Sequence, residues 1–277
     1  MLFRFVMLLS LMLSAVANLA VGAFESYQWL WLLPLVAVGV LLVLLLGLFV
    51  YVLVLSRMVD FDREQECDDP HYRKVAELLL EILAPLLRVR IKTTGLEKVP
   101  AQGRFMLVSN HVNELDPAPI LYALPGRQIA FIAKQEVRDM FIVGRILHKL
   151  QGQFINRGND REALKTIIKC IQILKEDKGS IAVFPEGGIH KDRKFHHFRP
   201  GVFKIAQKAK VPIVVCTLKN TCRLIHNILH FKSSDLEFHV LTVIEPEEYA
   251  ELTTPELAER VYRIMAQDLG PENVAEE

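Results

Sequence analysis

The chain has 277 residues, is 51% hydrophobic and is nearly neutral, with 33 basic and 32 acidic side chains. The apolar excess sits at the front: Arg4 and Glu25 are the only charges in the first 56 residues, and the rest carries 32 basic and 31 acidic groups. That balance argues against a general nucleic-acid binder. The four cysteines, Cys67, Cys170, Cys216 and Cys222, show no C-x-x-C pair and no zinc spacing, and read as free thiols in a reducing compartment.

Residues 5–23 and 29–55 are both free of charge apart from Glu25 in the short connection "FESYQ" between them. At about 1.5 Å per residue, the first run just spans a hydrocarbon core of ~30 Å, and the second spans it with room to tilt. A cleaved leader also begins with a basic residue before an apolar core, as Arg4 does, and ends in small residues such as Ala15 and Ala17. Here the apolar run continues through Val21 and Ala23, which favours a retained helix. Residues 1–56 are therefore expected to form a two-helix transmembrane hairpin. Arg57 and Arg63 follow the second run, so the positive-inside rule places the remainder in the cytoplasm, with Tyr27, Trp29 and Trp31 as an aromatic belt on the far side.

Residues 57–72 are charged and aperiodic, and read as a linker to an α/β domain over 73–277. Residues 74–92 have helical period but are apolar around most of the circumference. Such a helix fits either a membrane interface or the interior of the domain. Beyond it, strand-like runs at 105–109, 129–133, 153–156, 181–184, 212–218 and 236–244 alternate with helix-like runs at about 117–124, 136–149, 160–177, 201–209 and 255–269. This alternation predicts an α/β fold with a largely parallel or mixed sheet flanked by helices. In such sheets ligands collect beyond the carboxyl ends of the strands, so the residues just after each strand carry the most information.

The first strand runs into Asn110, His111 and, five positions after the His, Asp116. On a continuous helix that spacing turns the two side chains about 140° apart, whereas a loop entering a helix brings them together. Asp116-Pro117 is a helix-start pair, so Asp116 reads as an N-cap, as a carboxylate orienting His111, or as both. After the third strand, Arg157 reads as a fork-shaped anion clamp or as a surface partner of Asp160 or Glu162. The fourth strand ends in "FPEGGIH", where Gly187 permits a tight turn and Glu186 reads as a turn carboxylate or as a site group. Residues 191–210 hold seven Lys and Arg against Asp192, interleaved with Phe195, Phe198 and Phe203, which suits a membrane surface or a polyphosphate. His190, His196 and His197 have no acidic or cysteine partner at ligand spacing, so no metal site is expected.

Taken in this order, the motifs resemble those of the glycerolipid acyltransferase family, in its 1-acylglycerol-3-phosphate acyltransferase branch. Asn110, His111 and Asp116 match N-H-x4-D. Phe154 and Arg157 in "GQFINR" match the second motif. Phe184, Pro185, Glu186 and Gly187 match F-P-E-G, and Pro212 in "VPIVVCTL" matches the fourth motif; the likeness covers about residues 75–245. The chain departs from the pattern at Gly188, Ile189 and His190, where members often carry Thr and then Arg or Ser, and at Arg199, where Lys is common.

The resemblance implies that His111 and Asp116 form a general-base dyad. It implies that Asn110, Phe154, Arg157, Glu186 and Gly187 bind substrate, and that no cofactor is needed beyond an acyl-CoA or acyl carrier protein donor. The implied partners are a lysophospholipid, the acyl thioester and the bilayer. A membrane-anchored hydrolase would need a nucleophile or metal, yet no G-x-S-x-G or H-E-x-x-H occurs. A non-catalytic lipid-binding protein has no use for a base.

Overall fold

The computed structural model describes residues 2–27, 29–156 and 158–275. Two apolar helices lead the chain, α1 (Leu2–Ala20) and α2 (Trp29–Arg57). They pair antiparallel, because Ser10 Oγ donates to the Ala37 carbonyl (2.5 Å) and Ser14 Oγ to the Leu33 carbonyl (2.7 Å). Ser10, Ser14 and Asn18, spaced by four on one face of α1, are buried, while Leu8, Met12, Leu19, Leu35, Leu42 and Leu46 are exposed. This is the reverse of a helix pair in water, with polar groups inside and apolar groups outside. Among the described residues α2 is the one helix long and apolar enough to cross a membrane, with a mean hydropathy of 3.1, and α1 is shorter. The first helix stops before the end of the apolar run at 5–23, since Gly22 takes a left-handed conformation (φ 67°) and a short 3₁₀ turn follows.

The segment expected as linker is shortened by α3 (Pro70–Leu86), whose first turn is capped by Asp69 accepting from the His71 and Tyr72 amides. Tyr72 donates its hydroxyl to the Leu55 carbonyl at 2.9 Å and so docks α3 on the end of α2. The helix expected to continue to residue 92 ends at Leu86. Arg88 turns the chain with φ 57°, and Val89–Thr94 forms strand β1 with alternating burial. Pro85 and that left-handed turn end the helix, and pairing with a distant strand then decides the next six residues in favour of β structure.

Strands β2 (Met106–Val108), β3 (Ile129–Lys134), β4 (Gln153–Ile155), β5 (Ser180–Val183), β6 (Ile213–Lys219) and β7 (Ser234–Ile244) complete a seven-stranded sheet of order β1-β7-β6-β2-β5-β3-β4. Neighbours from β6 to β4 are parallel, β7 is antiparallel to β6, and β1 is parallel to β7, so the sheet is mixed. Both faces of the central strands β2, β5 and β6 are covered, which is why these read as continuous apolar runs, whereas β1 alternates. Met106, Val108, Ile181, Val183, Ile213 and Val215 face one core with helices α7 (Asp160–Lys175), α8 (Lys204–Ala209) and α10 (Thr254–Leu269). Leu107, Ala182, Val214 and Phe131 face the other with α4 (Pro117–Ala123).

The single helix expected over 136–149 is two, α5 (Gln135–Arg138) and α6 (Val143–Lys149). A Cβ on Gly144 would lie 2.2 Å from the Arg138 carbonyl oxygen, so the close crossing of the two helices requires glycine there. A further short helix, α9 (Leu224–Leu229), joins β6 to β7.

The connection from β2 leads to β3 on one side, and that from β5 leads to β6 on the other. β2 and β5 are adjacent, so the topological switch point, where such sheets open a crevice, lies between their carboxyl ends.

A buried ion pair ties the segment before α3 to the sheet. Arg73 donates from Nε and Nη2 to the two Asp68 carboxylate oxygens, at 2.7 Å each, and Nη2 also reaches the Ile129 carbonyl at 3.1 Å. Asp68→Ala leaves a buried guanidinium unpaired and is expected to lower stability by about 3–5 kcal/mol, read as a drop in thermal midpoint in detergent.

Candidate active site

At the end of β2 the chain is clamped before it turns. The Asn110 side-chain amide donates to the Leu218 carbonyl at 2.9 Å, and its oxygen accepts from the Leu218 amide at 2.7 Å. Asn110 is 2% exposed, so both its polar groups serve to join the ends of β2 and β6. This residue, expected as a substrate contact, sets the position of the next one through those two bonds.

That residue is His111. Its Nδ1 lies 3.1 Å from Asp116 Oδ2, which also accepts the Val112 and Asn113 amides at 2.8 Å each. The loop therefore folds around one carboxylate oxygen. Asp116 is 0% exposed, has helical backbone angles and makes no side-chain cap to α4, so the expected N-cap role is replaced by this inward one. Its other oxygen, Oδ1, is buried and has no partner among the described residues. The His111 side chain is 19% exposed and stacks on Phe184, with ring centroids 4.3 Å apart. The ring is thus held on its Nδ1 edge and on one face, and its Nε2 edge is the one left to receive a ligand.

Phe184 begins the turn after β5. Glu186, two residues on, is 3% exposed and accepts the His111 amide at 2.6 Å and the His196 amide at 3.0 Å, one on each oxygen. Burial pushes this carboxyl up to about 8; the two amides favour the anion, and the negative charges of Asp116 and Asp192 oppose it. Glu186 is thus a tie between two loops and not an open ligand group. Gly187 has φ 80°, and a Cβ there would sit 2.6 Å from Arg199 Nε. Only glycine lets the Arg199 guanidinium lie against this turn.

The basic run that follows is partly drawn into the structure. Phe195 and Phe203 are fully buried and Phe198 packs against the same core, so these aromatics do not form the surface expected of them. Arg193 donates to the Val112 carbonyl at 2.8 Å and to both Glu114 oxygens at 3.1 Å, which straps the loop over the His111 turn. His190 stacks on His196, and His196 Nε2 pairs with Asp192 at 2.9 Å. Among the described residues no three His, Cys, Asp or Glu side chains converge as a metal site. Sequence spacing singled out Glu186 and the Arg run but gave no sign that they tie back to the His loop, because those contacts join residues 75 to 81 positions apart.

Phe154 stands apart from this cluster. It lies half-buried on β4 at the sheet edge and lines a hollow with Phe61, Gln135, Arg138 and His148. Arg157 lies outside the described residues.

The profile of the acyltransferase family matches residues 90–219. The chain is 28% identical over 161 residues to a 1-acyl-sn-glycerol-3-phosphate acyltransferase of Borreliella burgdorferi, covering 58% of this chain and 64% of that protein. It thus spans just under two thirds of that relative's length. It is also 28% identical over 196 residues to the human 1-acyl-sn-glycerol-3-phosphate acyltransferase alpha, covering 69% of this chain and 68% of the human one. The crystal structure of a 1-acyl-sn-glycerophosphate acyltransferase from Thermotoga maritima has the same fold, with a TM-score of 0.59, 24% identity and coverage of 79% of this chain and 85% of the other. The family profile thus covers just under half of this chain, whose N-H-x4-D and F-P-E-G turns face each other across the switch point, and the relatives it resembles are 1-acyl-sn-glycerol-3-phosphate acyltransferases.

Proposed function

We propose that the chain transfers an acyl group from an acyl thioester, carried by coenzyme A or acyl carrier protein, to the free hydroxyl of 1-acylglycerol 3-phosphate, giving phosphatidate. The observation that carries this reading is the His111–Asp116 contact of 3.1 Å, with Asp116 buried and His111 reachable. With Asp116 ionised, Nδ1 holds its proton toward the carboxylate and Nε2 is the free base. Nε2 takes the proton of the acceptor hydroxyl as its oxygen attacks the thioester carbonyl. The tetrahedral intermediate collapses with cleavage of the C–S bond, and the imidazolium returns the proton to the departing thiolate.

No enzyme nucleophile is required. Ser109 is fully buried, and burial raises the pKa of Cys170 and Cys216, keeping both as thiols. A buried, half-satisfied Asp116 carboxylate also suits a mechanism in which its charge offsets the imidazolium formed during transfer.

In this reading α1 and α2 anchor the protein in the bilayer that holds both lipids, and the sheet domain faces the cytoplasm. Arg157 is the phosphate clamp. Arg199, set against Gly187, is the second cation beside the site.

Three results are expected. His111→Ala lowers turnover by about 100-fold or more in a folded, membrane-bound protein, since general-base contributions are of that size. Near-normal turnover, measured with labelled thioester and product mass, would take His111 out of the mechanism.

Arg157→Lys keeps the charge and loses the fork, so it raises the KM for lysophosphatidate and leaves that for the thioester unchanged; Arg157→Ala loses roughly 2–4 kcal/mol of transition-state stabilisation. If Arg157→Ala alters donor binding alone, the phosphate assignment passes to Arg199.

The third result concerns Glu186. Its carboxyl keeps a proton up to about 8 when folded, against 4.5 for the free group. A raised folded pKa gives stability that is complete below the unfolded value and is lost as pH rises through the folded one. From about pH 5 to about pH 9 the melting temperature of the wild type should therefore fall relative to that of Glu186→Gln. A difference independent of pH would assign Glu186 an ordinary carboxyl.

A further inference from the structure

We infer that the turn between α5 and α6 is a second bilayer contact, in which Met140, Phe141 and Val143 enter the apolar boundary of an anionic membrane while Arg57, Arg138 and Arg145 lie among its headgroups. This rests on the reading of α1 and α2 as a membrane anchor, and adds to it a fixed orientation of the catalytic end.

The turn presents large apolar side chains outward: Met140 is 51% exposed, Phe141 40% and Val143 44%. In a water-facing turn, residues of this kind leave apolar area in solvent with nothing gained. The bend that displays them is built in, because the glycine crossing at Gly144 holds α6 against α5 and leaves residues 139–142 as the tip.

The turn is also tied to the place where the apolar helix ends. Arg57 is the last residue of α2 and the first charge after Glu25. Its guanidinium carbon lies 5.9 Å from the centre of the Phe141 ring. Phe49, Val50 and Val54 on α2, and Met58 just past it, are exposed, so the helix keeps an apolar surface down to that level. Any apolar phase that covers α2 therefore stops beside Phe141.

The charges fit a boundary of anionic headgroups. Arg145 lies 4.5 Å from the Phe141 ring and 5.4 Å from the Phe61 ring, and Arg138 lies 5.0 Å from the Phe61 ring. Arg145 Nη1 donates to the Phe141 carbonyl at 3.0 Å, which fixes the turn, while its Nε is buried without a partner among the described residues. Glu136 and Asp139 are the acidic residues of the same segment, against Arg138 and Arg145 within it and Arg57 at the end of α2. Aromatic rings with guanidinium groups over them suit the region where lipid phosphates meet acyl chains.

The position matters for the reaction. α5 leaves the carboxyl end of β3, and β3 is parallel to β5, whose carboxyl end carries the F-P-E-G turn. A bilayer held against the α5–α6 turn faces the same end of the sheet as His111.

The test uses the full-length protein in vesicles of phosphatidylglycerol and phosphatidylcholine. The exposed cysteines are replaced (Cys67→Ser, Cys222→Ser), and an environment-sensitive fluorophore is attached to Met140→Cys or, as a reference on the exposed side of α10, to Glu259→Cys. The label at 140 should emit to the blue of the label at 259 and be quenched by bromine-bearing lipid chains, while the label at 259 is quenched by aqueous iodide. A label at 140 that iodide quenches as fully as the one at 259 overturns the inference. Resistance of the protein to carbonate extraction is measured on the same samples and tests the helical anchor separately. In a double variant, Met140→Asp with Phe141→Asp, turnover of long-chain lysophosphatidate in vesicles should fall by about tenfold, the scale set by burying two apolar side chains. Turnover of a water-soluble short-chain acceptor should be unchanged. An equal loss on both acceptors would assign the turn a role in the fold and overturn the inference.

Discussion

One oxygen of a buried carboxylate organises the loops at the carboxyl end of the sheet. Asp116 Oδ2 receives the His111 ring and the amides of Val112 and Asn113. An anion removed from water is stable only when donors converge on it, and here the donors come from its own loop. The same contacts fix the loop's shape, bury the carboxylate and aim the imidazole. Removing the charge would therefore alter both the electrostatics and the path of the backbone.

A second buried carboxyl couples that loop to its neighbour. Glu186 accepts one amide from the His111 turn and one from the segment holding His196, while Arg193 closes the far side through Val112 and Glu114. Burial, with a smaller push from the neighbouring carboxyls, keeps the Glu186 proton in place well above the ordinary carboxyl range. The two acids thus have separate tasks set by environment. Asp116 Oδ2 gathers donors from its own loop, and Glu186, its carboxyl pushed up by burial, ties two loops through their amides. Asn110 does comparable work on the other side by pinning β2 to β6. His111 is thus held from three directions.

The amino-terminal hairpin follows the opposite solvent rule from the sheet domain. In the domain, alternate strand residues feed two apolar cores. In the hairpin, Ser10, Ser14 and Asn18 face inward and the leucines face out. The two parts are joined by α3, docked on α2 through Tyr72 and on the sheet through Arg73.

Local patterning marked the α/β class and most of the elements, because apolar period is a local property that survives without knowledge of partners. It also marked His111 and Asp116, since a His and an Asp in a strand-to-helix loop can meet only in a few ways. Other features were decided by tertiary contacts alone. Residues 89–94 became a strand through pairing with residues about 145 positions later, and residues 136–149 became two helices through one glycine crossing. Asp116 looked like a helix cap, yet its carboxylate turned inward because three donors outbid one helix end. Asn110 and Glu186 stood out in the sequence but not as ties, for their partners are 75 to 108 residues away and no local pattern encodes such a meeting. Local periodicity fixes which segments form, and the hydrogen-bonding needs of buried polar groups, met only by distant parts of the chain, fix what each side chain does.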